Sequence, residues 1–249
     1  MMHATGGTIL AGQLALEHGW AINLGGGFHH AWAEEGGGGC LFDDIVLSIR
    51  HLRLAHRRPR LRAMVIDLDV HQGNGVQRDV LLAGEGAITY LADVFAGFLS
   101  YPADATAAGA IRTGHLLTGR ESDAQYERIV RGVLRASFAE FPQPDIVFYN
   151  AGTDILAGDP LGGMAISAAA VAKRDELVFR AARENGAPVA MVLSGGYTKP
   201  HSARAIANSI LNLDRQFGLG LRGVVPLRPA VATKENDKGA KKRNKRDEL

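Results

Sequence analysis

The stretch Met64-Val-Ile-Asp-Leu-Asp-Val-His-Gln-Gly-Asn-Gly75 decides how this chain is read. Its apolar run, Met64 to Leu68, has the composition of a strand buried on both faces. Asp67, Asp69 and His71 emerge at its C-terminal end, and a Gly73-Asn-Gly75 turn follows. In a parallel α/β sheet, ligands bind at the C-terminal strand ends. A carboxylate and an imidazole two residues apart lie on the same side of an extended segment. Together they can grip one divalent ion, and zinc takes both N and O donors. Taken alone, the pattern also suits an Asp and a His that satisfy backbone groups at a strand end.

Three other apolar runs end in polar loops of the same kind. Trp20 to Leu24 opens onto Gly25-Gly-Gly-Phe-His-His30, Pro144 to Tyr149 onto Asn150-Ala-Gly-Thr-Asp154, and Pro188 to Leu193 onto Ser194-Gly-Gly-Tyr197. A further strand is expected at Ala87 to Leu91, and a long irregular connection from Asp93 to Thr113. Loops of that length in compact domains are usually functional. Helical spacing predicts helices over 3–18, 41–57, 121–140, 167–184 and 202–217. Strands alternating with helices predict an α/β fold, a three-layer αβα arrangement with a mainly parallel sheet.

At 249 residues the chain is most simply one such domain, over residues 1–226. Residues 227–249 are low in apolar content and highly charged, and are expected to be a disordered tail. From Thr233 to Leu249 there are seven Lys/Arg and four Asp/Glu, which leaves the rest close to neutral. No broad phosphate-binding face is expected, hence no direct nucleic-acid partner. The one cysteine, Cys40, excludes an intrachain disulfide framework and suits a reducing compartment. It reads as a small buried hydrophobe. No signal-peptide pattern opens the chain and no apolar run approaches transmembrane length, so a soluble protein without a membrane partner is expected.

Two adjacent histidines after a strand and three glycines, in a chain with Asp-x-His and Gly-Thr-Asp at matching strand ends, point to a shared cavity. Asp154 could be a turn residue. Beside Asp69 and His71 it completes two carboxylates and one nitrogen, the three protein ligands that a catalytic zinc needs. Tyr197 can pack as an aromatic or donate its O–H to a developing oxyanion. No Gly-x-Ser-x-Gly nucleophile motif is present.

Taken together, Gly25-Gly-Gly-Phe-His-His30, Asp67-Leu-Asp-Val-His-Gln-Gly-Asn-Gly75, Tyr149-Asn-Ala-Gly-Thr-Asp-Ile-Leu156 and Ser194-Gly-Gly-Tyr197 resemble the arginase–deacetylase superfamily, specifically histone deacetylases. Gly6 to Gly12, Asn150 to Gly163 and Lys173-Arg-Asp-Glu-Leu-Val-Phe-Arg180 look like the class IV member in particular. The likeness runs over roughly residues 5 to 220.

The resemblance implies a zinc-dependent lysine deacylase acting on acyl-lysine in histones or other proteins, with corepressor-type protein partners. Asp69, His71 and Asp154 match the zinc ligands. His29 and His30 match the tandem histidines, His30 as general base and His29 as electrostatic or acid partner. Tyr197 matches the carbonyl-polarising tyrosine. Asp67 matches the carboxylate that orients His29 and helps hold a structural potassium ion (K+), which Asp93 would join. The substrate channel would be lined by Phe28, Gly39, Tyr101, Gly152, Gly195 and Gly196. Arginase relatives need a further carboxylate where Gly73 stands, so a mononuclear site (Zn2+) is favoured.

Three departures bear on these expectations. Asn74 stands where class I enzymes carry an aspartate, which should make His30 less basic. Gly39 replaces an aromatic channel wall, which fits a bulky acyl chain better than acetyl. The chain starts where the family already has a sizeable N-terminal segment, so a truncated domain is expected, with Trp20 to Leu24 as a bare sheet edge. A truncated, catalytically impaired isoform acting as a binding or scaffold chain stays open as an alternative, as does a deacylase of small acylated amines. Lys241-Lys-Arg-Asn-Lys-Arg246 suits a nuclear localisation signal as well as a solvated tail, so a nuclear or cytoplasmic location is expected. The terminal Arg-Asp-Glu-Leu249 is taken as coincidence.

Overall fold

A computed structural model describes residues 1–221. Six parallel strands form one sheet in the order β1-β6-β5-β2-β3-β4: β1 (Trp20–Asn23), β2 (Ala63–Asp67), β3 (Thr89–Ala96), β4 (Thr113–Leu117), β5 (Ile146–Asn150) and β6 (Val189–Val192). Among the described residues seven helices accompany the strands: α1 (Met2–His18), α2 (Asp44–Ala55), α3 (Asn74–Leu82), α4 (Ala105–Ala108), α5 (Asp123–Glu140), α6 (Ala168–Glu184) and α7 (His201–Phe217).

The sheet is covered on both faces, as its composition predicts. Successive β2 side chains alternate between two cores. Ala63 and Val65 face α1, α2 and α3, packing with Ala15, Ile49, Leu52, Val76 and Phe148. Met64 and Ile66 face α5, α6 and α7, packing with Val130, Phe138, Val178, Tyr149 and Leu213. The three-layer αβα expectation is met.

Helix ends follow local chemistry. Ser122 and Gln125 form a reciprocal capping box at α5, and Ser167 caps α6. Gly19 and Gly218 end α1 and α7 in the left-handed conformation.

The connection from β2 to α5 differs from expectation. β3 runs on to Ala96 because Asp93 pairs in register with Asp67 inside the sheet; a polar residue there hid the strand's length. Asn74 and Gly75 open α3 rather than a free turn, as the Gly75 and Val76 amides donate to the His29 carbonyl at 2.9 and 3.3 Å. Edge strand β4 is largely exposed and carries little apolar pattern. The irregular connection shrinks to 97–112, with α4 inside it.

Among the described residues β1 pairs only with β6, which makes it the expected edge. No described helix is long and apolar enough to cross a membrane. The expected tail, 227–249, lies outside the described residues.

Candidate metal centre

Parallel register lines up the ends of β5, β2 and β3, so that Asn150, Asp67 and Asp93 stand side by side. Beyond this row the chain turns out of the sheet and presents the polar side chains. Asp67 bridges its neighbours. Its Oδ1 accepts from Asn150 Nδ2 (2.9 Å) and the Asp69 amide (3.1 Å), and its Oδ2 lies 2.8 Å from His29 Nδ1.

Asp69, His71 and Asp154 converge with one ligand atom each, all within 4.8 Å of one another. His71 Nδ1 lies 3.1 Å from Asp69 Oδ1 and 3.1 Å from Asp154 Oδ2. Backbone donors orient both carboxylates: the Gly195 amide meets Asp69 Oδ2 at 2.9 Å, and the Val70 amide meets Asp154 Oδ1 at 3.0 Å. This approach requires glycine at two positions. A Cβ on Gly152 would stand 2.2 Å from Asp69 Oδ2, and one on Gly195 would stand 2.3 Å from Asp154 Oδ2.

Two buried carboxylates facing each other cannot both stay charged unless a proton or a cation lies between them. Burial and then the Asp69 charge raise the Asp154 pKa to about 7. Burial also penalises the Asp69 charge, but His29 and His71 overcome this and hold it well below the usual carboxylate range. Burial works against a charge on His71, yet Asp154 and Asp69 raise its pKa to about 9. Two carboxylates and one imidazole, buried and backbone-oriented, fit a divalent ion.

The tandem histidines flank this group and differ from each other. Their ring centroids are 4.1 Å apart. Burial opposes a charge on His29, but Asp67 and Asp69 outweigh it and hold its pKa well above the ordinary value. His30 Nδ1 lies 2.8 Å from Asn74 Oδ1, while burial and the neighbouring His29 push His30 down to about 3. Tyr101 meets the His30 ring edge-on, with centroids 5.2 Å apart. Tyr197 is 45 % exposed, and burial together with Asp69 and Asp154 raises its phenol pKa.

Asp93, expected to join a second cation, is buried within β3. Its Oδ2 accepts from the Gly73 amide (3.0 Å) and from Gln77 Nε2 (2.5 Å). Its Oδ1 is buried without a hydrogen-bond partner, and burial and then Asp67 raise its pKa well above the usual range. Of the expected channel residues, Tyr101 touches His30, and Gly152, Gly195 and Gly196 belong to the loops around the centre. Phe28 is half-buried and a Cβ on Gly39 would meet nothing within 4 Å.

Other contributors were not singled out from the sequence. Asp44, the first residue of α2, accepts from the amides of Gly27 (2.9 Å) and Phe28 (2.7 Å), shaping the loop before the histidines. Asp159 holds the Tyr197 amide (2.8 Å) and the Leu161 and Gly162 amides. Its place in Gly158-Asp-Pro160 marks a turn but names no distant partner.

A family description, "Histone deacetylase domain", matches residues 1–213. Histone deacetylase 2 of Arabidopsis thaliana is 48 % identical over 225 residues, covering 90 % of this chain and 54 % of that protein. Histone deacetylase 1 of Homo sapiens is 31 % identical over 189 residues, which is 74 % of this chain and 37 % of the human protein. The chain thus spans about half the length of the first of these relatives, and less of the second. Among solved structures, an HDAC homolog complexed with SAHA aligns with a TM-score of 0.69 at 24 % identity, covering 85 % of this chain and 56 % of that one, and shares its fold.

Proposed function

The chain belongs to the histone deacetylase family, and from that premise we propose that it is a zinc-dependent hydrolase of acyl-lysine in histones or other proteins. The observation that carries this reading is the meeting of Asp69, His71 and Asp154 within 4.8 Å, beside the His29–His30 pair. Zinc, when bound, supplies a Lewis acid that polarises a carbonyl and acidifies water.

The side chains divide the remaining work. His30 is neutral, and its Nδ1–H donates to Asn74, which leaves Nε2 to accept a proton from water. His29 is held protonated by Asp67 and Asp69, and an imidazolium of the His29–His30 pair gives its proton to the leaving amine. Tyr197, kept protonated by its raised pKa, donates its O–H to the developing oxyanion. Asp67 and Asp93 would hold potassium, which would satisfy the orphaned Asp93 oxygen.

The class IV reading rests on the stretches Gly6–Gly12, Asn150–Gly163 and Lys173–Arg180, and Asn74 beside His30 argues only against class I. The open space at Gly39 leaves Tyr101 as the aromatic next to His30, and this suits a long acyl chain. Faster turnover of myristoyl-lysine than acetyl-lysine peptides is expected; equal rates would remove the acyl-length reading. The basic run at 241–246 supports a nuclear as well as a cytoplasmic location, and membership of the family supports protein partners of the corepressor type.

Zinc content of the purified chain, with turnover of a fluorogenic acyl-lysine peptide, tests the central reading. One zinc per chain and turnover lost in Asp154→Ala support it. A metal-free chain that stays inert when zinc is supplied overturns it.

A further inference from the structure

Arg174 of α6 is 1 % exposed and lies beneath the two loops that carry the ligand triad. Its Nη1 donates to the carbonyls of Gly152 (2.6 Å) and Leu68 (3.2 Å), and its Nη2 to that of Ala151 (3.2 Å). Leu68 follows β2 and precedes Asp69. Ala151 and Gly152 follow β5 and lead to Asp154. Among the described residues no other donor reaches these three carbonyls.

The guanidinium is itself fixed. Its Nε donates to Asp175 Oδ1 at 2.8 Å, and the same oxygen accepts from the Tyr149 hydroxyl at 2.5 Å. Asp175 Oδ2 accepts from Ser209 of α7. The brace therefore links α6, α7 and the end of β5.

Burying a guanidinium and a carboxylate carries a desolvation penalty unless the remaining donors and acceptors are satisfied. Here they are spent on backbone carbonyls at the two strand ends whose separation sets the distance between Asp69 and Asp154. A planar fork with several donors spans such a gap, and a single ammonium cannot.

We propose that Arg174 is a positioning residue for the metal centre, fixing the spacing of the loops that carry Asp69, His71 and Asp154 by gathering the Leu68, Ala151 and Gly152 carbonyls on one guanidinium. The inference rests on the zinc reading above.

The test measures zinc affinity of the whole chain by competition with a chromophoric chelator, and the rise in thermal midpoint that zinc produces. Arg174→Met is expected to weaken zinc binding by about 10- to 100-fold, as loss of groups that orient metal ligands does, and to shrink the midpoint rise. Arg174→Lys should recover only part of the loss. Should Arg174→Met not fold, Tyr149→Phe loosens the brace while sparing the arginine, and a smaller loss of affinity is expected. Arg53→Met, a buried arginine far from the loops, serves as the control that lowers stability without touching zinc affinity.

Zinc affinity and midpoint rise equal to the parent's in Arg174→Met, or in Tyr149→Phe where the former does not fold, would overturn the inference. So would an equal loss of affinity in Arg53→Met. A parent chain that binds no zinc would instead overturn the proposed function, and the inference with it.

Discussion

Two buried arginines grip opposite ends of the same sheet, and the contrast separates what holds the fold from what serves the site. Arg53 of α2 reaches the strand starts. It donates to the carbonyls of Leu61 (3.2 Å) and Ile88 (3.1 Å), just before β2 and β3, and to Thr89 Oγ1 at 2.7 Å. Its carboxylate partner, Glu85 at 2.5 Å, remains partly open to water. Arg174 reaches the strand finishes, and its partner Asp175 is sealed inside. Water can relax around the first pair, so small displacements there are tolerated. No water relieves a misfit at the second, where the carbonyls belong to the ligand-bearing loops. One side chain type thus does structural work at one end and geometric work at the other.

The largest effect that would sharpen this contrast is at the strand finishes. Asp69→Asn is expected to abolish zinc binding and reduce acyl-lysine turnover to background, read from metal content and peptide fluorescence. Retained zinc would break the assignment. Next comes His30→Ala, expected to lower kcat by about 10²- to 10⁴-fold while zinc stays bound, which separates proton transfer from metal holding. At the strand starts, Arg53→Met is expected to destabilise by about 1.5–3 kcal/mol, in the range for a hydrogen bond to a charged group. Chemical denaturation gives that figure, and the zinc-induced midpoint rise should be unaltered.

The smallest effect concerns Asp43, the residue before α2. Burial, and then the nearby Asp79 and Asp44, raise its pKa well above the ordinary value, and its Oδ2 has no hydrogen-bond partner. A folded carboxyl with a raised pKa binds its proton more tightly than the unfolded one. Its contribution is therefore favourable at low pH and is lost as pH rises from the unfolded value through the folded one. Asp43→Asn keeps the cap and cannot ionise, so its thermal midpoint should exceed the parent's by more at pH 8 than at pH 5. A gain independent of pH would remove this account.

How much of this was readable from the chain depends on whether a residue acts near its own position. β2 was legible because an unbroken apolar run must be buried on both faces, and Asp69 and His71 because they follow it directly. The αβα layering followed from the alternation of strands and helices. β4 was not legible, since an edge strand open to solvent needs no apolar alternation. α3 was hidden behind an Asn-Gly pair that ordinarily marks a turn but here meets the His29 carbonyl. Asp44, Asp159 and Arg174 exert their influence through backbone groups far away in sequence. Their own neighbourhoods read as a helix start, a turn and a charged helix face.

The hydrogen bond from Val70 to Asp154 spans 84 residues, and that from Gly195 to Asp69 spans 126. Closing such large loops is slow, because the entropy is lost before the contacts form. The three ligands are therefore expected to meet late in refolding, once β2 and β5 are docked side by side. Zinc supplied from the first millisecond should leave the refolding rate measured by stopped-flow unchanged and slow only the reverse reaction, acting as a lock on the finished molecule rather than a template for it.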